Sequence, residues 1–232
     1  MRKNINHANI LIVEGEGDRS CLEQLCRTLN ISPDIFLPAS PKDLLDDGYD
    51  SKQGVYIALE DRLELLKQAD SPLKRLAIIV DADQTQHGQG YSKTFDEVSR
   101  RLQAFDYHLD SQASTQANGL VFSHQDEGFN PIGVWIMPNN QQDGAIESWI
   151  SNCISNTEQP LFSHAKSVVN TVSTTFNRTF TGNKKSKADI ATWLAWQKSP
   201  NIGLYTAVNL LDSQSPEYNN LVAWLHYIFP AS

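Results

Sequence analysis

The sequence predicts an α/β fold, a mainly parallel sheet wound on both faces by helices, followed by a helical C-terminal part. Three observations carry this. The runs Ile10-Leu11-Ile12-Val13 and Leu76-Ala77-Ile78-Ile79-Val80 have no polar alternation, as expected of strands buried on both faces of a parallel sheet. Helical apolar stripes separate and follow them, which implies crossover connections. From about residue 143 onward the pattern becomes helical throughout.

Taken in chain order, the stripes are Leu22, Leu25, Cys26 and Leu29, then Val55, Leu59, Leu63 and Leu66, then Phe95, Val98, Leu102 and Phe105. A weaker run, Ile35 to Leu37 closed by Pro38, is an additional strand candidate. The polar stretch Ser111 to Asn118 reads as a loop. Gly119 to Phe122 and Ile132 to Met137 read as an antiparallel pair at the sheet edge, joined by Ser123 to Pro131, and Pro138 ends the second strand. Asn140 is expected to cap a helix, with Asp143 three residues on. Helices are then expected near 143–155, 160–174, 186–197, 203–210 and 217–229. The domain organisation that follows is an α/β core over 1–142 and a helical part over 143–232, packed on the core and completing its site.

Hydrophobic residues make up 40% and charged residues 20% of the 232-residue chain, ordinary values for a globular protein. The first apolar run is too short for a signal-peptide core or a membrane span. Cys21, Cys26 and Cys153 cannot all pair and show no C-x-x-C spacing; they read as buried, reduced thiols. A cytoplasmic protein with no membrane partner is expected. The formal net charge of −8 argues against a surface coated in basic residues for non-specific duplex binding. It leaves room for a carboxylate-rich metal site, and the basic run Arg178 to Lys187 is able to meet phosphates. His7, His87, His108, His124, His164 and His226 lack metal-ligand spacing. Trp193, Trp196 and Trp224 read as helix-packing aromatics. No Ser-His-Asp order or Gly-x-Ser-x-Gly elbow is present.

The chemistry-bearing residues are acids at strand ends. Glu14 follows Val13, and Asp81 and Asp83 follow Val80. Loops at the carboxyl ends of parallel strands open into one shared crevice. If the backbone stays extended, Asp81 and Asp83 face the same side and reach one cation. Carboxylates crowded together push one another toward protonation, and hard oxygen donors without a His or Cys cluster favour Mg2+ or Mn2+ over zinc. In Glu14-Gly15-Glu16-Gly17-Asp18 the glycines are expected to permit a tight turn, and Asp18 to sit in the first helical turn, where the dipole favours an anion. Capping alone explains Asp18; it does not explain a glutamate at the strand end.

Ile-Val-Glu-Gly-x-x-Asp at 12–18 and Ile-Ile-Val-Asp-Ala-Asp at 78–83 resemble the Toprim domain of topoisomerases, DnaG-type primases and OLD-family nucleases. Gly-Val-Trp-Ile-Met-Pro-Asn-Asn at 133–140, Gly-Ala-Ile-Glu at 144–147 and Lys-Ala-Asp-Ile-Ala-Thr-Trp-Leu-Ala-Trp-Gln at 187–197 look like a small group of standalone Toprim proteins related to the OLD nucleases. The resemblance implies a Toprim-like (Rossmann-like) core and metal-dependent phosphodiester cleavage. It implies Glu14, Asp18, Asp81, Asp83 and Glu147 as metal ligands or their close supports. Glu14 would also serve acid–base chemistry, and Lys187 would stabilise charge on the phosphate. Two metals about 4 Å apart would activate water and steady the leaving oxygen. Asn139 stands where such relatives are expected to carry Asp, and Ser148 where an acid is expected. Asp143, four residues before Glu147, is the candidate substitute, on the expectation that both share one helix face.

Two other functions compete. Asp81-Ala82-Asp83-Gln84-Thr85 also fits the Asp-x-Asp-x-Thr of haloacid-dehalogenase-type phosphatases, with Asp81 as nucleophile, although there the motif follows the first strand. The third is a non-catalytic metal- or nucleotide-binding module. OLD-type Toprim domains act beside an ATPase, and with no Gly-x-x-x-x-Gly-Lys-Ser/Thr loop in this chain the ATPase would be a separate polypeptide.

Overall fold

In a computed structural model, which describes residues 8–36, 51–68, 70–85, 89–180 and 183–230, the acid-ended strands lie side by side in one six-stranded sheet of order β2-β1-β3-β6-β5-β4. The elements are β1 Asn9–Ile12, α1 Glu16–Thr28, β2 Asp34–Phe36, α2 Ser51–Leu66, β3 Arg75–Asp81, α3 Tyr91–Gln103, β4 Tyr107–Leu109, α4 Ser111–Ala117, β5 Leu120–His124 and β6 Ile132–Met137. There follow α5 Ile146–Cys153, α6 Gln159–Thr175, α7 Asn183–Ala195, a 3-10 helix Leu204–Leu210 and α8 Pro216–Ile228. β2, β1, β3 and β6 pair in parallel, in registers such as Ile12 with Ile78 and Ile78 with Val134. β5 runs antiparallel to both β6 and β4. The fold is therefore α/β and Rossmann-like, with the expected antiparallel edge.

The uninterrupted apolar runs exist because the sheet is covered twice. Leu11, Val13, Ala77, Ile79, Trp135 and Met137 face a cluster built with α1 and the C-terminal helices. Their strand neighbours Ile12, Ile78, Val80, Val134 and Ile136 face α2 and α3 through Val55, Leu59, Leu63, Val98 and Leu102. Each residue pair straddles the sheet, as a period of two requires. The C-terminal helices thus belong to the same hydrophobic cluster as one sheet face.

Trp135, Trp149, Trp193 and Trp224 are fully buried, each with its indole N–H satisfied. Trp224 donates to Leu120 O at 3.1 Å, Trp149 to Glu217 O at 3.3 Å and Trp193 to Glu158 Oε2 at 3.1 Å. Gly133 lets α8 come this close, since a Cβ there would stand 2.7 Å from Ile228 and 2.9 Å from the Trp224 ring. Trp196 departs from the expected packing role: it is 41% exposed and lies against His164, ring centroids 5.5 Å apart. The three cysteines are free and buried.

Several sequence expectations change. Ser111 to Asn118 is not a loop: Asp110 caps α4 by accepting from Ala113 N at 2.9 Å, and Asn118 ends it in the left-handed region at φ 55°. The short strand β4, with one buried residue, carries too little pattern to be recognised. Asn140 does not cap α5. Its Oδ1 accepts from Ile136 N at 2.7 Å, and the helix starts only at Ile146. Leu37, Pro38, His7 and His87 lie outside the described residues.

Candidate functional site

The chain steps from β1 outward to β2 and then crosses back to β3, so the direction of winding reverses between β1 and β3. The helix after β1 covers one face and the helix after β3 the other. A crevice opens beyond the carboxyl ends of strands at such a reversal. Glu14 and Asp81 leave their strands there.

Backbone amides hold these acids in place. Glu14 Oε1 accepts from Asp81 N at 2.8 Å, and Asp81 Oδ1 accepts from Ile146 N at 3.1 Å, at the start of α5. Asp18, in the first turn of α1, reaches back to Gly15 N at 3.0 Å. The turn before α1 needs no left-handed residue, because Gly15 is extended at φ −137°. Gly17 instead gives room to Leu204, whose Cδ1 would stand 3.2 Å from a Cβ.

Asp83 is not in extended backbone. Its φ is +64° and its N–H donates to Gly144 O at 2.8 Å, so the chain folds over after Asp81 instead of placing both aspartates on one strand face. The same-side argument for the pair therefore fails. Gly144 is required there: at φ +148° a side chain is strained, and a Cβ would fall 2.7 Å from Ser148 Oγ.

Electrostatics nonetheless ties the predicted acids together. Burial pushes Glu14 up to about 7, with Asp18 and Asp83 adding repulsion and Lys52 opposing it. Burial and Glu147 push Asp18 up to about 6, against Lys187. Asp81 is held well above the usual carboxylate range by burial, then by Glu14, Asp18, Glu147 and Asp83. Burial also raises Glu147, whose opposing cation is again Lys187. Glu147 is 6% exposed, and its Oε2 has no hydrogen-bond partner among the described residues. Each of Glu14, Asp18, Asp81, Asp83, Glu147 and Lys187, spread from the first strand to the seventh helix, is linked electrostatically to at least one other.

Asp143 and Asn139 do other work. Asp143 precedes α5, so it shares no helix face with Glu147. It accepts from the Thr85 hydroxyl, from Thr85 N at 2.9 Å and from Tyr91 N at 2.8 Å, clamping the connection from β3 to α3. Those donors hold its carboxyl below the ordinary value. Asn139 Oδ1 accepts from Gln142 N at 3.0 Å within its own turn. Of the basic run, Lys184, Lys185 and Lys187 lie on the first turns of α7; Lys185 pairs with Asp189 at 2.8 Å, and Lys187 is exposed.

Lys52 was not singled out from the sequence. Its Nζ lies 2.6 Å from Asp83 Oδ2, with its side chain 6% exposed. One signal was available: Lys52 precedes Val55, Leu59 and Leu63 at helical spacing, so it sits on the buried face of α2.

Among the described residues, no three His, Cys, Asp or Glu side chains form a ready-made metal ligand group. The donor chemistry still fits a hard divalent cation: carboxylate oxygens only, mutually repelling, one of them buried without a partner. Holding such an ion requires the side chains to draw in. No helix among the described residues is long and apolar enough to cross a membrane.

No curated protein and no solved structure matches the chain. The family described as "Protein of unknown function (DUF3226)" matches over residues 8–230, nearly the whole length, and the chain belongs to that family.

Proposed function

We propose that this protein hydrolyses nucleic-acid phosphodiesters with the aid of Mg2+ or Mn2+, as a cytoplasmic, Toprim-like relative of the OLD-type nucleases. The observation that carries the reading is that burial, aided by neighbouring acids, raises the carboxyls of Glu14, Asp18, Asp81 and Glu147 together at the point where winding reverses. Carboxylates gathered at this energetic disadvantage are explained by a cation they serve to bind.

Glu14, Asp18, Asp81, Asp83 and Glu147 would hold the ion or ions. When bound, such an ion polarises the phosphoryl group and eases deprotonation of water. Glu14 would also serve acid–base chemistry on the attacking water. Its Oε1 is oriented by the Asp81 amide. Lys187, exposed at the start of α7 and acting on Asp18 and Glu147, would meet the phosphate charge. Asp143 keeps the connection after Asp83 folded.

The test is incubation of the purified chain with single- and double-stranded DNA and RNA in Mg2+ or Mn2+. Cleavage is expected, and Asp81→Ala is expected to abolish it while the variant melts cooperatively. Full activity in Asp81→Ala would remove this site from the chemistry.

A second reading, a non-catalytic metal- or nucleotide-binding module working with a separate ATPase, draws support from Lys52, which already engages one carboxylate of the Asp-x-Asp pair. It predicts a stable complex with an ATPase and no cleavage by the isolated chain. The phosphatase reading predicts an aspartyl-phosphate on Asp81, which trapping with p-nitrophenyl phosphate would reveal.

A further inference from the structure

We infer that Lys52 is the protein's own counter-cation at the Asp83 and Glu14 carboxylates, and that a divalent cation enters by displacing its ammonium group. The inference rests on the cation-binding reading given above. It starts from geometry. Lys52 Nζ is 2.6 Å from Asp83 Oδ2, and the two side chains differ sharply in exposure, 6% for the lysine and 36% for the aspartate. The ammonium approaches from beneath, along the buried face of α2, while Asp83 keeps a side open to solvent.

Lys52 is not a surface lysine folded across the crevice. It lies one turn ahead of Val55 on the stripe that packs against Ile12, Ile78 and Val80, so its stem runs along the buried face of α2. Burying an ammonium group is unfavourable unless an anion meets it. Its charge also opposes the elevation of Glu14, so it acts on two acids of the site. Glu147 Oε2, buried without a partner among the described residues, is left unsatisfied by the lysines. A doubly charged ion outcompetes a single ammonium group for several carboxylates because its attraction scales with charge. Once displaced, the Lys52 side chain would lie beside the crevice, where it would meet an anionic substrate.

Two measurements test this. Mn2+ titration by calorimetry compares the unaltered chain with Lys52→Met, which removes the competing cation without shortening the stem. Binding about tenfold tighter or more is expected in the variant; equal or weaker binding overturns the inference. In the unaltered chain, acylation of Lys52 by an amine-reactive ester, followed by mass spectrometry, is expected to rise severalfold when saturating Mn2+ is added. No rise overturns the inference even if Lys52→Met fails to fold. If the unaltered chain binds no Mn2+ and cleaves nothing, the cation-binding reading falls and this inference with it. If Mn2+ binds and cleavage proceeds but neither Lys52 readout moves, only the role given to Lys52 falls.

Discussion

Asp110 and Asp81 both stand at the end of a strand, on opposite halves of the same sheet, and they have opposite chemistry. Asp110, at the antiparallel edge, accepts from Ala113 N and from Ser123 Oγ, both at 2.9 Å, and these donors hold its carboxyl below the ordinary value. Asp81, in the parallel half, accepts one amide and is driven far upward by burial and four neighbouring acids. A strand-end aspartate that caps a helix is stabilised as an anion. One placed where winding reverses is destabilised as an anion. The comparison separates a structural acid from a candidate functional one without reference to any other protein.

The largest effect that would break the contrast is on activity. Asp81→Asn is expected to reduce cleavage by about a hundredfold or more, and Asp110→Asn to leave it unchanged, in assays of initial rate with Mg2+. Equal losses in both would show that cleavage reports folding alone.

Next comes pH. Glu14, Asp18, Asp81 and Glu147 have raised carboxyl pKa values in the folded state, so the native state binds more protons than the unfolded one above the unfolded values. The contribution of Asp18 and Glu14 is fully present below about pH 4 and is lost as pH rises through about 6 to 7. In chelator, melting temperature should fall by about 5 °C or more between pH 5 and pH 8, and Mg2+ should reverse most of the fall at pH 8. Asp110 contributes in the opposite sense, since its lowered value makes its contribution disappear as pH falls below the ordinary aspartate range. Glu14→Gln should therefore flatten the decline above pH 5, whereas Asp110→Asn should leave it in place.

Smaller still, Glu147→Gln should stabilise the metal-free protein at pH 8 by about 1 kcal/mol, because a buried charge with an unpartnered oxygen is removed, while eliminating much of the stabilisation by Mg2+. Denaturant unfolding with and without Mg2+ checks both signs. The smallest expected change is Asp110→Ala, a loss of about 1 kcal/mol or less from the cap of α4, with no dependence on Mg2+.

Much of this arrangement was legible in the residues. Glu14 and Asp81 could be placed because buried parallel strands announce themselves as unbroken apolar runs and because ligand crevices form at their carboxyl ends. Asp83 was harder. Its left-handed backbone and its bond to Gly144 O depend on a loop that arrives sixty-one residues later, and an extended geometry was the wrong local assumption. The helix α4 was hidden by its Ser, Thr and Gln content, which reads as loop until the Asp110 cap and the Ala113 and Ala117 contacts are known. Lys52 was missed for a different reason: a lysine in an apolar stripe looks like the end of the stripe, and only the sheet shows that a carboxylate waits opposite it.

The hydrogen bond from Ile146 N to Asp81 has a consequence for the order in which the protein is made. A growing chain that has emerged through β6 already carries Glu14, Asp18, Asp81 and Asp83, yet it lacks the Ile146 amide, Glu147 and Lys187. Under the proposed activity, a ribosome-bound fragment would hold the acids without the groups that orient and complete them. Cleavage would begin only after α7 has been synthesised and docked, which would keep unfinished chains from acting on the RNA that surrounds them during translation.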